Sequence, residues 1–308
     1  MTRSVTPPSG TPPPNGRIVV GLDGSDSAWG ALDRAIGEAQ RRGTTLEIVH
    51  AWPWAQTDPV AFGVVTEAHQ TPVEIARAVL RLAVARVAEQ APELRVVPTL
   101  TAQDAVPELL RIGGDAALTV IGTRGLGGFT GLLLGSVGLR LAAHTARPLL
   151  VVRGDIPAAY GPEGHGKVLV GVETSADEAA ARYAFEEAAR RGARLRVLYA
   201  GAHPQLFGGD HALPSREDPA ARAEREQAGA RQVVAALGEE FGQVPVREHT
   251  AHGAPAPALV EASRAADVVV LPVHRRTARL GMQLGPVTHA VLHHSHCPVV
   301  LVPVDQRE

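Results

Sequence analysis

The chain has 308 residues, 45% of them apolar, with a formal net charge of −2 and a single cysteine, Cys297. Its length suits two domains of about 150 residues, each large enough to bury a core. Near-neutral charge excludes a dedicated nucleic-acid or polyanion binder, no apolar run approaches the roughly 18 residues of a membrane span, and one cysteine excludes an internal disulfide or a cysteine-built metal site.

Residues 1–16 are rich in Pro, Ser, Thr and Gly and lack the apolar stretch of a signal peptide. They predict a disordered tail. A strand begins at Arg17-Ile18-Val19-Val20 and ends at Gly21-Leu22-Asp23. Trp29, Leu32, Ile36 and Ala39 then recur at helical spacing, closed by Arg41-Arg42-Gly43. Residues 45–52 form a second strand and 53–71 a long loop. Residues 72–90 form an amphipathic helix with Val73, Ala76, Leu80, Val84 and Val87 on its apolar face. A strand over 94–100, a short helix over 106–112 and a strand over 118–121 follow. A helix from Val137 and a strand over 149–152 complete the unit. Alternating strands and helices predict a parallel sheet covered on both faces.

Residues 154–166 read as a Gly- and Pro-rich linker, and then the pattern restarts. Lys167 to Gly171 mirrors Arg17 to Gly21, Pro257 mirrors Pro107, Gly285 mirrors Gly135, His294 mirrors His144 and Pro298 mirrors Pro148, each 150 residues on. Arg190-Arg191-Gly192 mirrors Arg41-Arg42-Gly43, shifted by one. A repeat this long is a duplicated domain, since one unit already holds a whole sheet. The predicted domains are 17–153 and 167–304.

The chemistry concentrates in residues 120–148, VIGTRGLGGFTGLLLGSVGLRLAAHTARP. Gly122 ends a strand, Gly125 leaves room for close backbone approach, and Gly135-Ser136 stands where a helix starts. A helix N-terminus offers free N–H groups and the positive end of its dipole to an anion such as phosphate, and Ser136 is placed to cap that helix or to donate its hydroxyl. The spacing resembles the nucleotide-binding signature of the universal stress protein family, G-x2-G-x9-G-(S/T), at Gly122, Gly125, Gly135 and Ser136. The alternative is that these glycines only shape a strand–loop–helix connection.

The resemblance extends over nearly the whole chain as a tandem pair. It implies an α/β fold: two open five-stranded parallel sheets, Rossmann-like or flavodoxin-like, strand order 3-2-1-4-5, with helices on both faces. In such sheets the ligand crevice lies outside the carboxyl ends of the strands where the order reverses. By resemblance, Gly21, Leu22 and Asp23 line base and ribose, Asp23 accepting from ribose hydroxyls. Ala51 matches the position whose backbone meets adenine, Arg124 and the glycine motif face phosphate, and Val137 follows Ser136 at the helix start. Asp23 has a second reading as a turn or N-cap residue. The implied ligand is ATP or another adenine nucleotide, with or without Mg. The resemblance also implies that the apolar final strands, 149–153 and 299–304, pair antiparallel as an internal pseudo-dimer; further association into homo-oligomers stays open.

The second copy departs from the motif. Pro272, Arg275 and Pro286 replace Gly122, Gly125 and Ser136, and Glu173 replaces Asp23. Each proline removes an N–H that phosphate could use, although Pro286 still suits a helix start. Arg275, Arg276 and Arg279 leave open that this loop binds an anion in another shape. His289 and His293 lie one helical turn apart but have no acidic partner nearby, so no metal site is predicted. No P-loop, no nucleophile elbow and no nucleophile–base pair is present. The leading expectation is a cytoplasmic ATP-binding regulator of the stress response, acting with an unknown protein partner and with nucleotide in the first domain only. The alternatives are a slow ATPase or nucleotide-transfer enzyme using the same crevice, and an interaction module in which nucleotide is incidental.

Overall fold

A computed structural model of the chain describes residues 16–52, 72–123, 125, 134–153, 164–199, 219–251, 253–274 and 284–304. The predicted tail, most of the predicted linker, Arg124, Arg275, Arg276 and Arg279 lie outside the described residues. The first half runs β1 (Ile18–Gly21), α1 (Asp26–Arg42), β2 (Leu46–Ala51), α2 (Pro72–Gln90), β3 (Val96–Thr101), α3 (Ala105–Gly113), β4 (Leu118–Gly122), α4 (Ser136–His144) and β5 (Leu149–Val152). The second half repeats it: β6 (Lys167–Val172), α5 (Glu178–Arg191), β7 (Arg194–Tyr199), α6 (Pro219–Glu240), β8 (Val246–Thr250), α7 (Pro255–Ser263), β9 (Val268–His274), α8 (Pro286–His294) and β10 (Val299–Val304).

Each half has the expected order, and the two join into one ten-stranded sheet, β3-β2-β1-β4-β5-β10-β9-β6-β7-β8. The join is the expected antiparallel pairing of the final strands, with Val299 opposite Val151, Val300 opposite Leu150 and Leu301 opposite Leu149. All other pairings are parallel. Alternation sorts the side chains. Ile18, Val20, Leu118 and Val120 pack under α1 and α2, whereas Val19, Ile121 and Val151 pack under α3 and α4. Central strands buried on both faces explain the unbroken apolar runs. The outer strands are more exposed, and Pro98, Arg247 and Glu248 discourage pairing at their edges.

The mirrored Arg-Arg-Gly triplets have two causes. Gly43 and Gly192 end α1 and α5 in the left-handed region, at φ 58° and 59°, where other residues are strained. The arginines close a buried ring of charge where α1 meets α5. Arg42 bonds Glu38 and also Glu187, the latter at 2.8 Å, while Arg191 bonds both Glu187 and Glu38. Arg42 also donates to the Tyr183 hydroxyl at 3.1 Å. The four side chains are at most 10% exposed. Burial alone would raise the Glu38 carboxyl, but the guanidiniums of Arg191, Arg42 and Arg34 outweigh it and hold it well below the usual carboxylate range. The covalent repeat is thus also a pseudo-symmetric contact. Cys297 sits at the base of β10 fully buried, and burial pushes its thiol up to about 12, which keeps it an inert core residue.

Candidate functional site

In the first half the order of strands reverses between β1 and β4, which are direct neighbours. Above them, Asp23 and Gly125 face each other: a Cβ on Gly125 would stand 2.3 Å from Asp23 Oδ2. The other oxygen, Oδ1, accepts from the Ser25 amide at 3.0 Å and the Ser25 hydroxyl at 2.6 Å. Ser25 in turn caps α1, accepting from the Ala28 amide. One oxygen of Asp23 therefore anchors the turn before α1, as the second reading expects, and the other faces the glycine loop.

The two strand-end glycines have packing reasons. A Cβ on Gly122 would meet the backbone carbonyl carbon and oxygen of Ser27 at 2.6 Å, so Gly122 lets α1 seat against β4. A Cβ on Gly21 would press on Leu109 Cδ1 at 3.1 Å. The glycine loop is pinned at both ends: the Thr123 amide bonds the Val152 carbonyl at 2.9 Å, and the Gly135 amide bonds the Thr123 carbonyl at 2.7 Å. Gly135, extended at φ −72° and ψ 163°, is the N-cap of α4 and, as a glycine, brings no side chain to cap it. Ser136 is its first residue rather than the cap. The start of α4 presents exposed Ser136 and Val137 beside half-buried Gly135, with the N–H groups of a first helical turn that find no acceptor inside the helix.

Leu22 and Ala51 sit at the ends of β1 and β2 on the same rim. The Leu22 amide bonds the Val49 carbonyl at 2.9 Å. Its carbonyl is held by His50 Nδ1 at 2.5 Å, with the imidazole buried and ring-stacked toward Trp52 at 6.0 Å. The sequence singled out Ala51 at this strand end but not its neighbour: His50 fixes the carbonyl of Leu22, one residue before Asp23. A residue at strand end that alternation turns inward is the only signal of such a role. The structure thus brings Gly21, Leu22, Asp23, Ala51, Gly122, Gly125, Gly135, Ser136 and Val137 to the carboxyl ends of neighbouring strands. The clasp between Asp23 and Gly125 is the most intimate contact.

The matching place in the second half holds a bonded set of its own side chains. Strand β9 runs on to His274, with Pro272 inside it opposite Val302. His274 Nε2 reaches Asp177 Oδ1 at 2.9 Å. Asp177, fully buried at the position of Ser27, also accepts from the amides of Glu173 and Thr174 at 2.7 and 3.0 Å. A 3-10 turn, Ser175–Asp177, precedes α5 here, so the long helix begins later than α1 does. Burial, then the Asp177 and Glu226 carboxylates, hold the Glu173 carboxyl above its ordinary range, with His274 opposing them. A carboxyl raised on folding costs stability once pH climbs above its unfolded pKa. Glu173→Gln is therefore expected to raise the melting temperature at pH 7.5, with the gain vanishing toward pH 4. A variant that melts lower at both values would contradict this.

His289 and His293 stack with ring centroids 4.3 Å apart. Among the described residues no group of three His, Cys, Asp or Glu side chains could hold a metal ion. No helix among them is long and apolar enough to cross a membrane.

The model of the universal stress protein family matches the chain twice, over residues 14–153 and 164–303. A universal stress protein of Mycobacterium tuberculosis is 33% identical over 297 residues, 92% of this chain and 96% of that protein. A second from the same species is 30% identical over 319 residues, 94% and 95% of the two chains. A solved universal stress protein from Archaeoglobus fulgidus superposes with a TM-score of 0.63 over 96% of this chain and 98% of its own, at 16% identity, a likeness of fold. Two matches to one family, a repeat that rebuilds the same sheet and full-length relatives agree: the chain belongs to the universal stress protein family and carries two such domains in tandem.

Proposed function

We propose that the chain is a cytoplasmic, adenine-nucleotide-binding regulator of the stress response that holds ATP in residues 17–153. Residues 154–166 serve as a linker, and 167–304 as a second domain without a nucleotide site. The observation that carries this reading is the approach of Asp23 to Gly125 beside the start of α4, where Gly135 brings no capping side chain. A carboxylate suited to ribose hydroxyls and a helix N-terminus suited to phosphate share one crevice. The backbone at Gly21, Leu22 and Ala51 meets the base. Gly122 seats α1, and Gly125 allows the phosphates close to the backbone. Gly135, Ser136 and Val137 supply N–H groups to them, and Arg124 pairs with their charge. Mg, where it accompanies ATP, rests on phosphate oxygens and water rather than on a protein cage.

The second crevice argues for a single site. Asp177, Glu173 and His274 occupy it with their own bonds, and the carboxylates repel phosphate. The regulatory output passes to a protein partner. Denaturing freshly purified protein and identifying the released small molecules by mass spectrometry tests the reading. An adenine nucleotide at up to one per chain is expected. No adenine nucleotide, combined with no heat on titrating ATP into the emptied protein, would overturn it.

A further inference from the structure

Strand register matches the two halves residue by residue. In the first, Glu47 lies between Val19 and Val97 on the neighbouring strands. In the second, Arg196 lies between Leu169 and Arg247. Arg196 and Arg247 therefore stand where the first half has Glu47 and Val97, and Lys167 and His249 stand where it has Arg17 and Thr99. Glu47 is satisfied in place: Arg17 Nε donates to it at 2.7 Å and the Thr99 hydroxyl at 2.8 Å. The second half reverses that central charge and keeps its basic neighbour.

Leu169 and Leu198 pack on the side of the sheet that α7 and α8 cover. Alternation turns Lys167, Arg194, Arg196, Arg247 and His249 to the same side. Arg196 and Arg247 are register partners on adjacent strands, whose backbones run roughly 4.8 Å apart, and like charges so placed repel. Among the described residues neither guanidinium has an ion pair, and Arg196 Nε is shut from solvent with no hydrogen-bond partner. A buried donor without an acceptor is costly, and an oxyanion supplies one. The carboxylates close by are engaged elsewhere. Glu261 of α7 pairs with Arg264 at 3.0 Å, and Asp267 accepts from the amides of His165 and Lys167 at 2.6 and 2.9 Å. Glu248, on the other side of the sheet, accepts from the Tyr199 hydroxyl at 2.9 Å. Arg247 and His249 are exposed and Arg196 is half-buried, so solvent reaches the group.

We propose that this basic face of β7 and β8 is an anion site for a small molecule carrying two linked phosphate groups. Each guanidinium offers a planar fork to phosphate oxygens, and one phosphate bridging Arg196 and Arg247 removes their repulsion. Lys167 and Arg194, two residues back along the strands, reach the second phosphate. The chain's net charge of −2 adds no wider positive field, which favours a small anion over a nucleic acid. None of this depends on the nucleotide reading.

The test is titration of inorganic pyrophosphate, without metal, into the full-length protein in about 50 mM salt, followed by two-dimensional amide NMR. Saturable shifts at residues 194–197 and 246–250 are expected, with a Kd of about 0.1 mM, and binding weakens as salt is raised. Arg196→Gln weakens it roughly tenfold. Arg247→Gln, at an exposed position where folding is not at stake, does the same. Both melt no lower than wild type without ligand, because each relieves a like-charge contact. No saturable shift at β7 and β8, shifts there unchanged in folded Arg196→Gln and Arg247→Gln, or single-stranded DNA binding there more tightly than pyrophosphate would overturn the proposal.

Discussion

Glu38→Ala is expected to lower the stability of the folded chain by about 3–5 kcal/mol, the usual result of removing one partner from a buried ion pair. It leaves Arg42 and Arg191 buried side by side with one carboxylate, Glu187, to share. Urea denaturation measures the loss. Replacing Glu38, Arg42, Glu187 and Arg191 together by apolar residues of similar volume is expected to cost less than Glu38→Ala, because the charge left facing the site is then Arg34, with Arg41 and Arg190 reaching solvent. The pH dependence has a definite sign. A carboxyl depressed on folding contributes stability that is present above its unfolded pKa and is lost as pH falls toward its folded one. The wild type therefore weakens below the ordinary carboxylate range, and Glu38→Ala removes that component. A Glu38→Ala variant within 1 kcal/mol of wild type would show that the ring does not hold the halves together.

Gly125→Val is expected to weaken ATP binding by about 100-fold or more while the fold stands. The added Cβ falls 2.3 Å from Asp23 Oδ2, the end of a side chain, so the Asp23 carboxylate gives way and loosens its bonds to Ser25 while the backbone stays. Displacing the ribose acceptor and blocking close approach of phosphate removes charge-assisted hydrogen bonds worth roughly 3 kcal/mol together, a factor of about 100 in affinity. Gly122→Ala makes the opposite trade. Its Cβ meets the backbone of Ser27, and overpacking there costs about 1–3 kcal/mol of stability before any ligand is added. Calorimetry with ATP and melting curves without it separate the two glycines. Equal loss of stability in both would mean that Gly125, too, serves only packing.

Periodicity revealed the elements because burial imposes it. The helix read over 72–90 is found at Pro72–Gln90, since Ala76, Leu80 and Val87 must face the sheet. The strands stood out as apolar runs because both of their faces are covered. Strand order and the β5–β10 join came from the family resemblance, as no local pattern encodes them. What stayed hidden depends on residues far apart in sequence. The Arg-Arg-Gly triplets were visible as a repeat, but their joint ring with Glu38 and Glu187 exists only once α1 lies against α5. Pro272 and Pro286 announced a changed second site, whereas the pairing of Asp177 with His274 there carried no signal in the sequence. Gly122 was legible as a strand-end glycine, but the neighbour that demands it, Ser27, was not. Ser136 looked like a cap because serine so often is one; the extended Gly135 takes that place.

The central claim is one adenine nucleotide per chain, in the half that keeps Asp23, Gly122, Gly125, Gly135 and Ser136. Titration calorimetry of ATP into the intact, nucleotide-free protein tests it most directly. A stoichiometry of one, abolished by Gly125→Val and unchanged by Glu173→Gln, is the predicted result. A stoichiometry of two, or a single site that survives Gly125→Val, would contradict it.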